Sequence, residues 1–380
     1  MKDSTKFIHT GRPKVGTGTP VNREITRAST LLFDKAEDLY SSDFRNYGRQ
    51  GSAVHDDLAA IFCKLELGEA CDFAPSGLAA CTLAIMACVK SGDHVLLTDN
   101  CYGPVRSFAD TFLKRMGVTT TRFNPRTGAG ISELIKDNTT LIWLESPGSL
   151  TFELHDLPAI AHAAKAKGVT TAIDNTWSGG ITLKPLTLGI DISVHAATKY
   201  FCGHSDIVFG AVVSSSEKIG KRITAVRKQI GHHTSPDDAY QILRGARTVH
   251  MRFARAEASA LMLATWLEDC DEVQQVLHPA LPNHPDHDIW ARDFTGGACL
   301  FGVVLKPVAE AKVLAFINAL NLFGIGYSYG GFESLCIHCD PQLNRTTSES
   351  FGGPLIRFAC GLEDAADLKA DIAQALPNLK

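Results

Sequence analysis

The chain has no surplus of positive charge, since 37 Lys and Arg stand against 41 Asp and Glu for a net charge of -4, and the basic residues are scattered rather than grouped. A polyanionic backbone would have little to bind, so nucleic acid is not an expected partner. No window is apolar for long enough to span a bilayer, and no apolar run follows Met1-Lys2-Asp3-Ser4, so neither a membrane span nor a signal peptide is expected. The expected location is the cytoplasm. No strand runs into a Gly-x-Gly-x-x-Gly turn, which leaves a nicotinamide-dependent reductase without its pyrophosphate site. Internal repeats and low-complexity tracts are missing too. The 11 cysteines are an odd number, and several, such as Cys81 and Cys88, lie in apolar helical stretches that suit reduced, buried thiols. Cys336-Ile337-His338-Cys339 has metal-like spacing without a second pair, and reads as incidental loop thiols.

What is present is an ordinary globular composition, 45% hydrophobic and 21% charged over 380 residues, enough for one large core and a smaller one. Residues 1–52 carry Gly11, Pro13, Gly16, Gly18 and Pro20 without periodicity and read as an extended arm. From Cys71 onward, short apolar runs alternate with helix-length segments. Strands are expected over Cys71–Ala74, His94–Asp99, Thr139–Glu145, Val169–Asp174, Ile190–Ala196 and Gly210–Ser215. Between them, Ser76 caps a helix over Leu78–Val89 that Gly92 stops, and Gly168 closes a helix over Leu157–Lys167. Such alternation predicts an α/β fold, a mostly parallel sheet with helices on both faces, spanning about 53–247. A long helix over Val249–Glu268 then leads into a smaller mixed domain, 248–380, with a strand at Ala298–Leu305 and helices at Val308–Asn321 and Ala365–Ala375.

Two strand ends carry chemistry. Val169-Thr-Thr-Ala-Ile-Asp174 ends on a carboxylate, and Ile192-Ser-Val-His-Ala-Ala-Thr198-Lys199 runs into a lysine. A lysine at the mouth of such a sheet can form a Schiff base with a carbonyl cofactor, while an acid can hold a pyridinium nitrogen protonated. Ser76-Gly77-Leu78 opens a helix after a strand, where N–H groups and the helix dipole suit a phosphate. Singly, each is better read as a surface lysine, a turn acid or an ordinary cap. Their order along one sheet gives them weight.

Across nearly its whole length the chain resembles the cysteine and methionine metabolism family of pyridoxal-phosphate enzymes. The resemblance is carried by Tyr47-Gly48-Arg49, Ser76-Gly77-Leu78-Ala79-Ala80, Tyr102-Gly103-Pro104, Glu145-Ser146-Pro147-Gly148-Ser149, Asp174-Asn175-Thr176-Trp177 and Ala196-Ala197-Thr198-Lys199-Tyr200. Gly203-His204-Ser205-Asp206, Ser328-Tyr329-Gly330-Gly331 and Ile356-Arg357-Phe358 with Gly361-Leu362-Glu363-Asp364 complete it. It implies an aspartate-aminotransferase-like (fold type I) architecture with a seven-stranded sheet, and pyridoxal 5'-phosphate as cofactor. It further implies Lys199 as the Schiff-base lysine, Asp174 on the pyridine nitrogen, Tyr102 stacked on the ring, and Gly77, Leu78 and Thr198 on the phosphate. Tyr47 and Arg49 would reach that phosphate from a neighbouring subunit in a tetramer built of two active dimers. Arg357, helped by Ser328, would take the substrate carboxylate.

Departures from the shared motifs bear on the branch. Ser149 follows Glu-Ser-Pro-Gly where many members carry Asn, Trp177 stands where γ-acting members more often have Phe, and Tyr329 stands where γ-lyases and synthases usually have Leu. Pro104 replaces the cysteine that methionine γ-lyases share, and Ala196 replaces a serine found in many γ-acting members. Trp177 and Tyr329 serve plain packing or substrate selection equally well. Together these lean towards β-elimination on L-cystathionine, giving homocysteine, pyruvate and ammonia. The γ-acting branches and β-lyases of cystine or other cysteine conjugates are the alternatives, with racemisation or transamination as side activities.

Overall fold

A computed structural model of the chain describes residues 3–14, 16–347 and 350–380. Its larger sheet has seven strands: β1 (Ala70–Ala74), β2 (His94–Thr98), β3 (Thr119–Phe123), β4 (Thr139–Glu145), β5 (Thr170–Asp174), β6 (Ile192–Ala196) and β7 (Gly210–Ser214). Their spatial order is β1-β7-β6-β5-β4-β2-β3, with β7 antiparallel to both its neighbours and the other pairs parallel. The mostly parallel α/β sheet is thus as the patterning predicts. The strand that patterning misses is β3, whose Thr-Thr-Thr-Arg-Phe sequence sits at an edge with only Phe123 buried. An edge strand wetted on one side carries no apolar run.

Helices α1 (Asp3–His9), α2 (Ala53–Glu66), α3 (Gly77–Met86), α4 (Gly103–Phe108), α5 (Leu157–Ala166), α6 (Glu217–Gln229) and α7 (Pro236–Ala246) accompany this sheet. The α3 start is built for close approach. Ser76 Oγ accepts the Ala79 N–H at 3.0 Å, and a Cβ on Gly77 would lie 2.5 Å from that of Ala196 at the end of β6. Only glycine lets the helix mouth sit so near the strand end. At α5, Asp156 accepts the Ala159 N–H at 3.2 Å and Gly168 (φ +68°) follows the last turn.

Helix α8 (Val249–Leu267) leads to the second sheet, in order β10-β11-β12-β9-β8, made of β8 (Val273–Leu277), β9 (Leu300–Leu305), β10 (Gly324–Ile325), β11 (Leu335–His338) and β12 (Leu355–Ala359). Helices α9 (His287–Asp293), α10 (Glu310–Asn318) and α11 (Ala365–Ala375) complete it. Its core is aromatic, with Phe358 packed 5.7 Å from Phe301 and 5.1 Å from Phe323, ring centre to ring centre. Cys336 lies within β11 and is buried, so it is a core thiol and not the loop thiol expected, while Cys339, just past the strand, is buried as well. All 11 cysteines are unpaired, eight of them buried.

The N-terminal segment is not extended throughout. Phe7 in α1 is buried, and Arg247 donates to the carbonyls of Thr10 (2.7 Å) and Gly11 (2.9 Å), pinning the end of that helix. Beyond it the arm has short helical turns at Ala36–Tyr40 and Gly48–Gln50 and, among the described residues, one bridge, between Thr30 and Tyr47. Leu32 (93% exposed) and Tyr40 (85%) stand in solvent along it. Among the described residues, no helix is long and apolar enough to cross a membrane.

Candidate active site

The carboxyl ends of the parallel strands, the α3 mouth and the segment before β11 enclose a cavity of about 530 Å³. Open α/β sheets place ligands at this edge. Glu145 and Asp174 close β4 and β5 side by side in register. Lys199 follows β6, and Tyr102 follows β2 as the cap of α4.

Lys199 reaches in from behind. Its Nζ donates to Ser328 Oγ at 2.7 Å and lies 5.0 Å from the centre of the Tyr329 ring. Burial, with Arg357 adding repulsion, holds its pKa down to about 8 against the pull of Asp174. Arg357 donates through Nη2 to the Ser328 carbonyl at 3.0 Å, while its Nε is buried with no partner among the described residues. A half-buried guanidinium with an unpartnered, buried Nε is poised for an anion. Asp174 accepts the Thr176 N–H at 3.0 Å and the Cys81 thiol at 3.6 Å.

At the α3 mouth, the first-turn N–H groups of Gly77 and Leu78 have no acceptor among the described residues, because the Ser76 hydroxyl and carbonyl serve Ala79 and Ala80. This is an anion cradle. The Thr198 hydroxyl beside it accepts the Phe209 N–H at 2.9 Å and donates to the Phe209 carbonyl at 3.2 Å. It can turn its proton to a phosphate without losing the first bond. An anion cradle, a carboxylate deeper in and an amine of depressed pKa fit a phosphorylated pyridine aldehyde.

A profile of the family described as Cys/Met metabolism PLP-dependent enzyme matches residues 4–377. The chain belongs to that family. A cystathionine beta-lyase of Salmonella typhimurium is 40% identical over 99% of this chain and 98% of its own. A cystathionine gamma-lyase of Bacillus subtilis is 35% identical over the full length of both. The crystal structure of metB from Corynebacterium glutamicum superposes with a TM-score of 0.92 at 30% identity, over 100% of this chain and 99% of that one. The fold is therefore the type I fold of these pyridoxal-phosphate enzymes, and the chain is a pyridoxal-phosphate-dependent enzyme of Cys/Met metabolism.

For this family member, the structure gathers Gly77, Leu78, Tyr102, Asp174, Trp177, Thr198, Lys199, Ser328, Tyr329 and Arg357 around one cavity. Tyr47 and Arg49 are not among them. Both are exposed, with the Arg49 guanidinium 5.1 Å from the centre of the Tyr47 ring. Trp177 is buried and spends its indole N–H on the Leu300 carbonyl at 3.0 Å, so it meets the cavity as a wall. Tyr329 packs edge-on against Tyr200, 5.8 Å between ring centres.

Reading the strand ends overlooks Glu145 as a site residue, although it ends an apolar run just as Asp174 does. Its Oε2 accepts the Tyr102 N–H at 2.6 Å and its Oε1 the Ser149 hydroxyl, so one carboxyl ties the two loops together. Burial and the neighbouring Asp174 push its pKa up, against the pull of those two hydrogen bonds. Burial raises the Tyr102 phenol above its ordinary value.

Proposed function

We propose that the chain is a carbon-sulfur lyase that removes the sulfur substituent from Cβ of L-cystathionine, releasing homocysteine, pyruvate and ammonia with uptake of one water. Pyridoxal phosphate, held by Lys199, Asp174, Thr198 and the α3 mouth, would supply an electron-poor ring able to accept the electron pair left at Cα. Arg357 grips the α-carboxylate with its free edge and so presents the Cα proton to Lys199. With its pKa near 8, the Lys199 amine is a competent base. Tyr102, kept protonated by burial, or the lysine's newly gained proton then goes to the departing sulfur.

The observation that carries the choice of Cβ is the position of Tyr329. Elimination at Cγ requires a base to take a proton from Cα and another from Cβ, so the amine must travel. Here Ser328 Oγ and the Tyr329 ring flank the amine, and that ring packs against Tyr200. A base so flanked has little room to travel beyond Cα. Incubation of the holoenzyme in D₂O with L-2-aminobutyrate, which has no leaving group, tests this by proton NMR. Exchange at Cα only is expected, with Cβ exchange appearing in Tyr329→Leu. Rapid Cβ exchange in the unaltered enzyme would place it with the γ-acting branch.

The same reading assigns Tyr47 and Arg49 to the phosphate of a second copy, in a tetramer of two active dimers. Their absence from the lining of their own cavity and the solvent-facing Leu32 and Tyr40 support an arm that lies on a neighbour. The unpaired cysteines suit a reducing cytoplasm.

A further inference from the structure

Besides Arg357, two guanidiniums line the cavity, of which Arg106 is paired with the buried Asp99 at 2.7 Å. Arg345, in the stretch between β11 and β12, donates through Nη2 to the Ser149 carbonyl at 2.5 Å and to Thr151 Oγ1 at 3.1 Å. Its remaining nitrogens are idle. Neither Nη1 nor Nε has an acceptor among the described residues, and Nε is fully buried. No carboxylate there bonds to it directly, although Glu153 and Glu145 lie near enough to act on its charge. Glu153 is taken up by Thr151 Oγ1 at 2.5 Å and Asn100 Nδ2 at 3.3 Å, and Glu145 by Tyr102 and Ser149.

A guanidinium stays charged at any pH the protein meets, so burying one without a counter-ion is costly unless something supplies the anion. The two anchoring bonds fix its orientation on the Ser149 loop. Fixing one nitrogen while leaving the others free is how a fork is readied for a carboxylate. Two guanidiniums with unpartnered nitrogens thus line the cavity, Arg357 beside Lys199 and Arg345 on the Ser149 side.

We propose that Arg345 receives the far carboxylate of the substrate, which makes the site selective for amino-acid thioethers carrying a carboxylate at both ends over cysteines with a simple alkyl group on sulfur. This rests on the lyase reading, whose substrate class it narrows. A purely structural Arg345 would hold the Ser149 loop in place and matter equally for every ligand.

Binding separates the two roles without any turnover. Calorimetry on the holoenzyme would use 2,7-diaminosuberate, the all-carbon isostere of cystathionine, and 2-aminooctanoate, which has the same chain without the far charges. Arg345→Leu is expected to weaken diaminosuberate about 10- to 100-fold, as loss of a charge-assisted pair does, and to leave aminooctanoate within about 3-fold. Arg345→Lys should restore part of the loss. Equal weakening of both ligands, or of neither, would overturn the proposal, and the aminooctanoate arm reports whether each variant keeps its site. Selective binding with no pyruvate formed from cystathionine would instead sink the reaction and spare Arg345.

Discussion

Lys199 is set apart from a surface lysine by what surrounds its amine: Ser328 Oγ at 2.7 Å, the Tyr329 ring, and Arg357 near enough to repel it. Burial and that repulsion favour the neutral amine, so the pKa falls to about 8. The sign of the pH dependence follows. A base must be unprotonated to work, so kcat should fall as pH drops below about 8, by close to tenfold per unit on the lower limb, and level off above it. A kcat profile flat from pH 6 to 9 would show that the amine is not the proton acceptor. At this scale, Asp174 and Lys199 were legible because each ends an apolar run with a charge. Glu145 carried the same signal, and its role shows only in what it joins, since the Tyr102 and Ser149 loops are distant in sequence and meet through the register of β4 and β5. Trp177 was ambiguous as a residue type. Its indole N–H is committed to Leu300, which leaves its ring to face the cavity.

Elements were readable where burial imposes a pattern. Helix α11 has the bounds that its flanking residues suggest, and β4 and β7 come within a residue of expectation, because strands buried on both faces are continuous apolar runs. β3 escaped because an edge strand of threonines has no such run, and α1 because its hold is tertiary, through Arg247 and the burial of Phe7. The α3 mouth yields a prediction of its own. In Gly77→Ala the new methyl would meet Ala196 Cβ at 2.5 Å and push the first turn away from β6, carrying the Gly77 and Leu78 N–H groups with it. Cofactor affinity, titrated by absorbance, should weaken about tenfold or more while the fold persists, since overpacking costs about 1–3 kcal/mol. Unchanged affinity would remove the helix mouth from the phosphate site.

For the whole molecule, one copy of the chain leaves the site without Tyr47 and Arg49 and leaves apolar side chains of the arm in water. If a second copy supplies them, an Arg49→Ala protein and a Lys199→Ala protein should each be nearly inactive, yet recover on mixing. Random exchange within dimers makes half of them mixed, each with one intact site, so about a quarter of full activity is expected. Subunit exchange shown by mass, with no recovery, would keep the arm out of the neighbour's site. The fold class could be read from the alternation of elements, but the pairing of two chains is visible in the sequence only as an arm with nothing of its own to lie on.

The most direct measurement is the identity of the keto acid formed when the purified, cofactor-loaded protein is given L-cystathionine. Mass analysis should find pyruvate together with homocysteine. Finding 2-oxobutyrate together with cysteine would contradict elimination at Cβ.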